Sequence, residues 1–211
     1  MEINFNSRLY HYMSKLAECM ILSLLWLAFS LPVITFGAAT SALYYCAVKV
    51  LRKDEGSAFK DFWRAFKSNL NQGVLTVLFA AVICILVVLI GSGIYAAIPR
   101  TDVLKKIYVV YIIIFSFGIS WLHYVFSYIA RFEASFRTVL KNSLIICVMN
   151  LPTSLSMVIL FIAVIAILIM TAPASGVALF LLPALYALVT SFLLEKVYRK
   201  YMPVQEPVPN P

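Results

Sequence analysis

The sequence predicts an all-α, polytopic helical membrane protein of about six transmembrane helices and two cytoplasmic interfacial amphipathic helices. Three observations lead there. The chain is 63% hydrophobic and 12% charged, with a mean hydropathy of +0.95, whereas a soluble domain carries roughly 25% charged residues. It contains several apolar runs at or near the ~20 residues needed to cross a bilayer. Its Lys and Arg residues gather in a few connections, the pattern of cytoplasmic loops, so the net charge of +8 marks membrane sidedness and not nucleic-acid binding.

The spans are expected near 17–35, 36–51, 73–98, 104–130, 152–172 and 177–195, in one helical domain covering 1–201. The first apolar region, 19–48, is too long for one upright span and short for two. It holds LPVITFG at its middle, where Pro32 and Gly37 can break a helix. Charge decides for a hairpin. With a hairpin, only Arg100, Lys105 and Lys106 of the 17 Lys and Arg fall opposite the rest; with one long span Arg8 and Lys15 would join them. The positive-inside rule therefore predicts six spans, both termini cytoplasmic and 31–37 as an external turn. Residues 202–211, MPVQEPVPNP, read as an extended Pro-rich tail.

Two polar connections carry helical periodicity. In 57–70, Phe59, Phe62, Trp63 and Phe66 make an apolar stripe, while Lys60, Arg64 and Lys67 line another face. An interfacial helix with its aromatics in lipid and its cations toward phosphate fits that pattern, with Ser57 as its cap. In 131–145, Phe132, Phe136, Val139 and Leu140 form a stripe beside a Glu133, Arg137, Lys141 ladder at i, i+4 spacing. The two segments share an aromatic-x3-apolar-Lys-polar-polar-Leu pattern, which raises an internal repeat as a hypothesis.

Catalytic constellations are not found. The four cysteines are scattered, without CxxC spacing, and read as small buried hydrophobes; neither a metal site nor a cofactor site is expected. His123 falls inside a span with Tyr124 and Tyr128 nearby, a candidate intramembrane polar site. The blander expectation is a neutral imidazole bonded to a Tyr, a Ser or a carbonyl. No intramembrane carboxylate pair is present to drive proton or hydrolytic chemistry, so the sequence is not expected to encode an enzyme.

LLWLAFSLPVITFGAATSALYY followed by FKDFWRAFKSNLNQG resembles the N-terminal part of the YesL family of bacterial membrane proteins, domain of unknown function 624. SYIARFEASFRTVLKNS and LLPALYALVTSFLLEKVYRKY resemble its second half in the same order. The resemblance implies a multi-pass protein of the bacterial cell membrane, encoded beside ABC importers for oligosaccharides, chiefly in Gram-positive organisms. Within it, Glu133-Ala134-Ser135 and Leu151-Pro152 stand at the spacing of the Glu-Ala-Ala loop by which ABC permeases contact their ATPase. Val139 replaces that loop's Gly and Ser135 its second Ala. Glu133, Arg137, Lys141, Leu151 and Pro152 are thus candidate partner contacts, set against the simpler reading of an interfacial elbow. Two functions are open at this point. One is a non-enzymatic accessory subunit of a carbohydrate ABC importer, touching the permease or ATPase subunits and the lipid bilayer. The alternative is a small permease conducting a solute through its own helices.

Overall fold

The computed structural model describes residues 5–97, 102–170 and 176–201; the tail at 202–211 lies outside them. Seven α-helices and no strand occur among the described residues: α1 (Phe5–Ser30), α2 (Phe36–Cys46), α3 (Ala58–Ala97), α4 (Asp102–Arg131), α5 (Phe136–Met149), α6 (Leu151–Met170) and α7 (Gly176–Tyr201). Six segments are long and apolar enough to cross a membrane: Tyr12–Ser30, Val33–Arg52, Ala58–Gly93, Lys106–Arg131, Leu151–Met170 and Phe180–Tyr201. The expected hairpin at 19–48 is present. α1 stops before Leu31-Pro32, where proline can neither donate nor tolerate a helical predecessor. Thr35 then closes the end: its hydroxyl donates to Phe29 O (2.6 Å) and Pro32 O (2.9 Å), satisfying carbonyls that a helix terminus leaves open.

α2 lies antiparallel on the first half of α3. Gly37 and Gly73 meet backbone to backbone: a Cβ on Gly73 would stand 2.4 Å from Ala38 N, and one on Gly37 2.5 Å from Gly73 O. With Ala38, Ala39, Ala42 and Cys46 all fully buried, this is the small-residue packing by which helices approach closely where lipid offers no hydrophobic drive. α4 runs antiparallel along the rest of α3: Phe79 meets Trp121 edge-on at 6.3 Å and Tyr111 donates to Val87 O (2.8 Å). α7 joins α1 at its proline. Pro183 lies inside the helix, and the next N–H, that of Ala184, donates to Ser23 Oγ (3.1 Å).

Several boundaries differ from expectation. The segment 57–70 is not a separate elbow; it is the start of the 40-residue α3, because NLNQG carries no proline and the helix has no reason to stop at Leu70. Its buried stripe is Ala58, Asp61, Phe62, Ala65 and Phe66, rotated by about one residue from the predicted aromatic face. The two alanines let α2 approach, and Phe62 and Phe66 pack tilted against Phe29 of α1 (centroids 6.0 and 4.8 Å) instead of facing lipid. The second connection also shifts. α4 persists to Arg131 and α5 begins only at Phe136, after Ser135 in extended conformation (φ −65°, ψ 150°). Glu133 is therefore outside any helix, and the Glu133–Arg137–Lys141 ladder does not form. α5 ends at Asn150 (φ −126°, ψ 52°), so a break separates α5 from α6 where α3 runs unbroken. Finally, the turn expected on the external side carries Phe36 against Phe126 (6.2 Å), near the Arg131 end of α4.

Candidate functional site

Charged side chains meet at one end of the bundle, around two buried carboxylates. Asp61 is 4% exposed. The first turn of α3 puts it beside Ala58 and Phe62 on the face covered by α2. Its Oδ1 accepts from Lys49 Nζ (2.8 Å) and from Arg64, and its Oδ2 from the Ser57 N–H (2.8 Å). The carboxylate reaching back to that N–H closes the first turn in the manner of a capping box, a role the sequence had suggested for the Ser57 hydroxyl. Gly56 supports this geometry: its φ is +85°, and a Cβ there would stand 2.0 Å from Asp61 Oδ2, so only glycine leaves the carboxylate room.

Glu195 is the second hub, 8% exposed near the end of α7. It pairs with Arg131 at the end of α4 and accepts from the Tyr44 hydroxyl on α2 (3.3 Å). The Arg131 guanidinium also lies over the rings of Phe132 and Tyr198, 5.4 Å from each centroid, and Tyr198 exchanges a 2.6 Å hydrogen bond with Ser127. One carboxylate thereby fastens α2, α4 and α7 together. Lys15 makes a third junction, donating to Val50 O (2.7 Å) and Glu18 (2.8 Å) and pairing with Asp54.

The predicted interfacial anchors divide. Phe59 and Trp63 are exposed, at 59% and 39%, and so are Lys60, Arg64 and Lys67, with Lys67 Nζ 4.9 Å over the Trp63 ring. Phe62 and Phe66 belong to the core. The predicted partner contacts Glu133, Arg137, Lys141, Leu151 and Pro152 are all exposed. The opposite face of α5 is fixed: Val139, Ser143, Ile146 and Cys147 are buried, and Ser143 Oγ accepts from Trp121 Nε1 (3.0 Å). Burial pushes the Cys147 thiol above its usual range, partly offset by its hydrogen bond with Ser154.

His123 has the neutral-imidazole arrangement. Nδ1 lies 2.8 Å from Ile119 O, which requires the proton on Nδ1, and the free Nε2 accepts from the Tyr186 hydroxyl. Tyr128 does not join it; its hydroxyl accepts from Asn142 Nδ2 (2.9 Å). Tyr124 is fully buried beside Ser127 and Tyr198. The three predicted polar residues thus serve different contacts. Among the described residues no group of His, Cys, Asp and Glu is placed to hold a metal ion.

Residues 19–90 match the family described as "Protein of unknown function, DUF624". The matched part of the chain is similar to that family, and the rest of the chain lies outside the match. The match covers the hairpin, the Gly37–Gly73 crossing and the whole Asp61 cluster. No curated protein and no solved structure matches the chain.

Proposed function

We propose that this protein is a non-enzymatic accessory subunit of a carbohydrate ABC importer in the bacterial cell membrane, with the outer face of α5 and the start of α6 as its partner contact. The observation behind this reading is the stripe itself. The side chains of Glu133, Arg137 and Lys141 are exposed and, like that of Lys60, have no hydrogen bond or ion pair among the described residues, whereas Lys15, Lys49, Arg52 and Arg131 are all engaged. Arg137 and Lys141 project from α5, whose other side is locked to α4, and Glu133 lies in the connection just before it, so a partner would meet a largely fixed surface and lose little ordering entropy. The family resemblance adds the setting of an oligosaccharide importer. The permease alternative is less supported. Ser41, Ser127, Thr190 and Ser191, candidates to line a solute path, each donate to a carbonyl of their own helix.

Purification from native membranes in mild detergent tests the reading. Importer permease or ATPase subunits should accompany the wild type. Recovery should fall about tenfold in Arg137→Glu/Lys141→Glu, since reversing rim charges affects association most, and fall also in Glu133→Ala, with monodisperse protein retained in both. Unchanged recovery, or solute flux by the purified protein alone in liposomes, would sink it.

A further inference from the structure

The Asp61 cluster opens into a cleft of about 460 Å3 lined by Lys49, Gly56, Ser57, Lys60, Asp61 and Arg64. Three cations there face one carboxylate, leaving an excess of positive charge. Asp61 orients Lys49 and Arg64 without neutralising both, because one carboxylate is shared between them and the Ser57 N–H. Lys60 has no ion-pair partner among the described residues, so its ammonium is free to close over a ligand. Gly56 keeps the floor open, as any side chain there would strike Asp61.

We infer that this cleft binds a phosphate group, carried either by a lipid headgroup or by a free phosphate. The chemistry points to phosphate over a carboxylate. Several oxygens around one centre give Lys49, Lys60 and Arg64 each a charge-assisted acceptor, and Arg presents a planar fork that suits two of them. Cations already held by Asp61 lose less freedom on binding than mobile surface lysines. Exposed Phe59 and Trp63 flank the lining residues along α3, as aromatic side chains do at a bilayer interface. The site is separate from the α5 contact proposed above, and neither depends on the other.

Titration calorimetry on the full chain in a non-ionic detergent tests the inference. The probes are dihexanoyl-phosphatidylglycerol and inorganic phosphate, with dihexanoyl-phosphatidylcholine as the zwitterionic comparison. At least one of the first two should bind. Lys60→Gln and Arg64→Gln, both surface changes, should each weaken binding about tenfold, the scale of one charge-assisted hydrogen bond. Lys67→Gln removes the same charge outside the cleft and should change binding less than about twofold. Phosphatidylglycerol binding without phosphate binding assigns the site to a lipid headgroup, and the reverse assigns it to a soluble phosphate. Binding of neither probe overturns the inference, as does a loss in Lys67→Gln equal to that in Lys60→Gln.

Discussion

Replacing Gly73 by alanine tests whether the α2–α3 crossing governs stability. The added Cβ would sit 2.4 Å from Ala38 N and 2.7 Å from Ala38 Cα, where ordinary contact begins at 3.4 Å. Both obstructing atoms are backbone, so no rotamer change relieves them and the helices must part by about 1 Å. A gap of that size forfeits roughly a quarter to a half of each dispersion contact along the seam. Overpacking of this kind costs about 1–3 kcal/mol, and the upper end applies because the backbones themselves collide. The alanine returns ~1 kcal/mol of helix propensity, leaving a net loss of about 2 kcal/mol. For a chain of this size that lowers Tm by roughly 4–8 °C. The built-in reporter is Cys46, fully buried in this interface. A fluorogenic maleimide read during a thermal ramp follows its release, in a background where Cys19, Cys84 and Cys147 are replaced by alanine. Gly118→Ala is the control, since nothing lies within 4 Å of its added Cβ. If Gly73→Ala melts with or above Gly118→Ala, the close-packing argument fails.

Two further outcomes are expected from the buried groups. Arg131→Met should destabilise by about 3 kcal/mol, the lower part of the range for orphaning a buried charge because the Arg131 side chain keeps 23% of its exposure. Arg131→Met/Glu195→Met should recover most of that in the same melt; a double variant as unstable as the single would remove Glu195 from the account. N-ethylmaleimide, which enters the detergent belt, should add no more than once per folded chain, at Cys84 on the outward face of an apolar span, because Cys19, Cys46 and Cys147 are buried. Raising the pH to about 8.5, the ordinary thiol pKa, should not recruit Cys147, since burial raises its thiol and keeps it protonated. A second adduct in intact mass before unfolding would contradict this.

The class, the hairpin at 19–48 and the helical character of 57–70 were legible because composition, charge placement and period are local properties of the chain. The hubs were not. Nothing near Glu195 in sequence announces Arg131, 64 positions away, and only the packing of α4 against α7 brings them together. Asp61 was nearer to legible. It shares a helical face with Ala58, Phe62 and Ala65, but an aromatic stripe outweighs two alanines when hydrophobicity alone is counted, and the small residues turned out to mark the buried side. The helix start at Phe136 carried the signal of Ser135 as a preceding cap, which the charge ladder from Glu133 obscured. The break at Asn150 follows from Pro152 two residues later, since proline has no N–H for the carbonyl of Val148 and its ring clashes with that carbonyl, so α5 cannot run on through it.

The depth of the α1–α2 hairpin follows from using α4 as a ruler. Arg131 and Lys106 bound its apolar stretch, 25 residues apart on one helix, or about 38 Å at 1.5 Å per residue. That matches the ~40 Å of a bilayer with its headgroups, so the two cations mark opposite faces. Phe36, where the hairpin turn ends, touches Phe126, which is about 8 Å along α4 from Arg131. On the other side of the same crossing, Gln72 donates to Ala134 O in the α4–α5 connection while its neighbour Gly73 packs on Ala38. The turn and that connection therefore lie close together near the Arg131 face. α1 and α2 have the length and apolarity of spans, yet their turn stops short of the Lys106 face. An impermeant maleimide should therefore label Leu31→Cys, a site 83% exposed, from the same side of the membrane as Glu133→Cys, in a background without the native cysteines. Labelling of the two from opposite sides would restore the full crossing that charge placement alone predicts, and would show that α4 does not stand across the bilayer between Lys106 and Arg131.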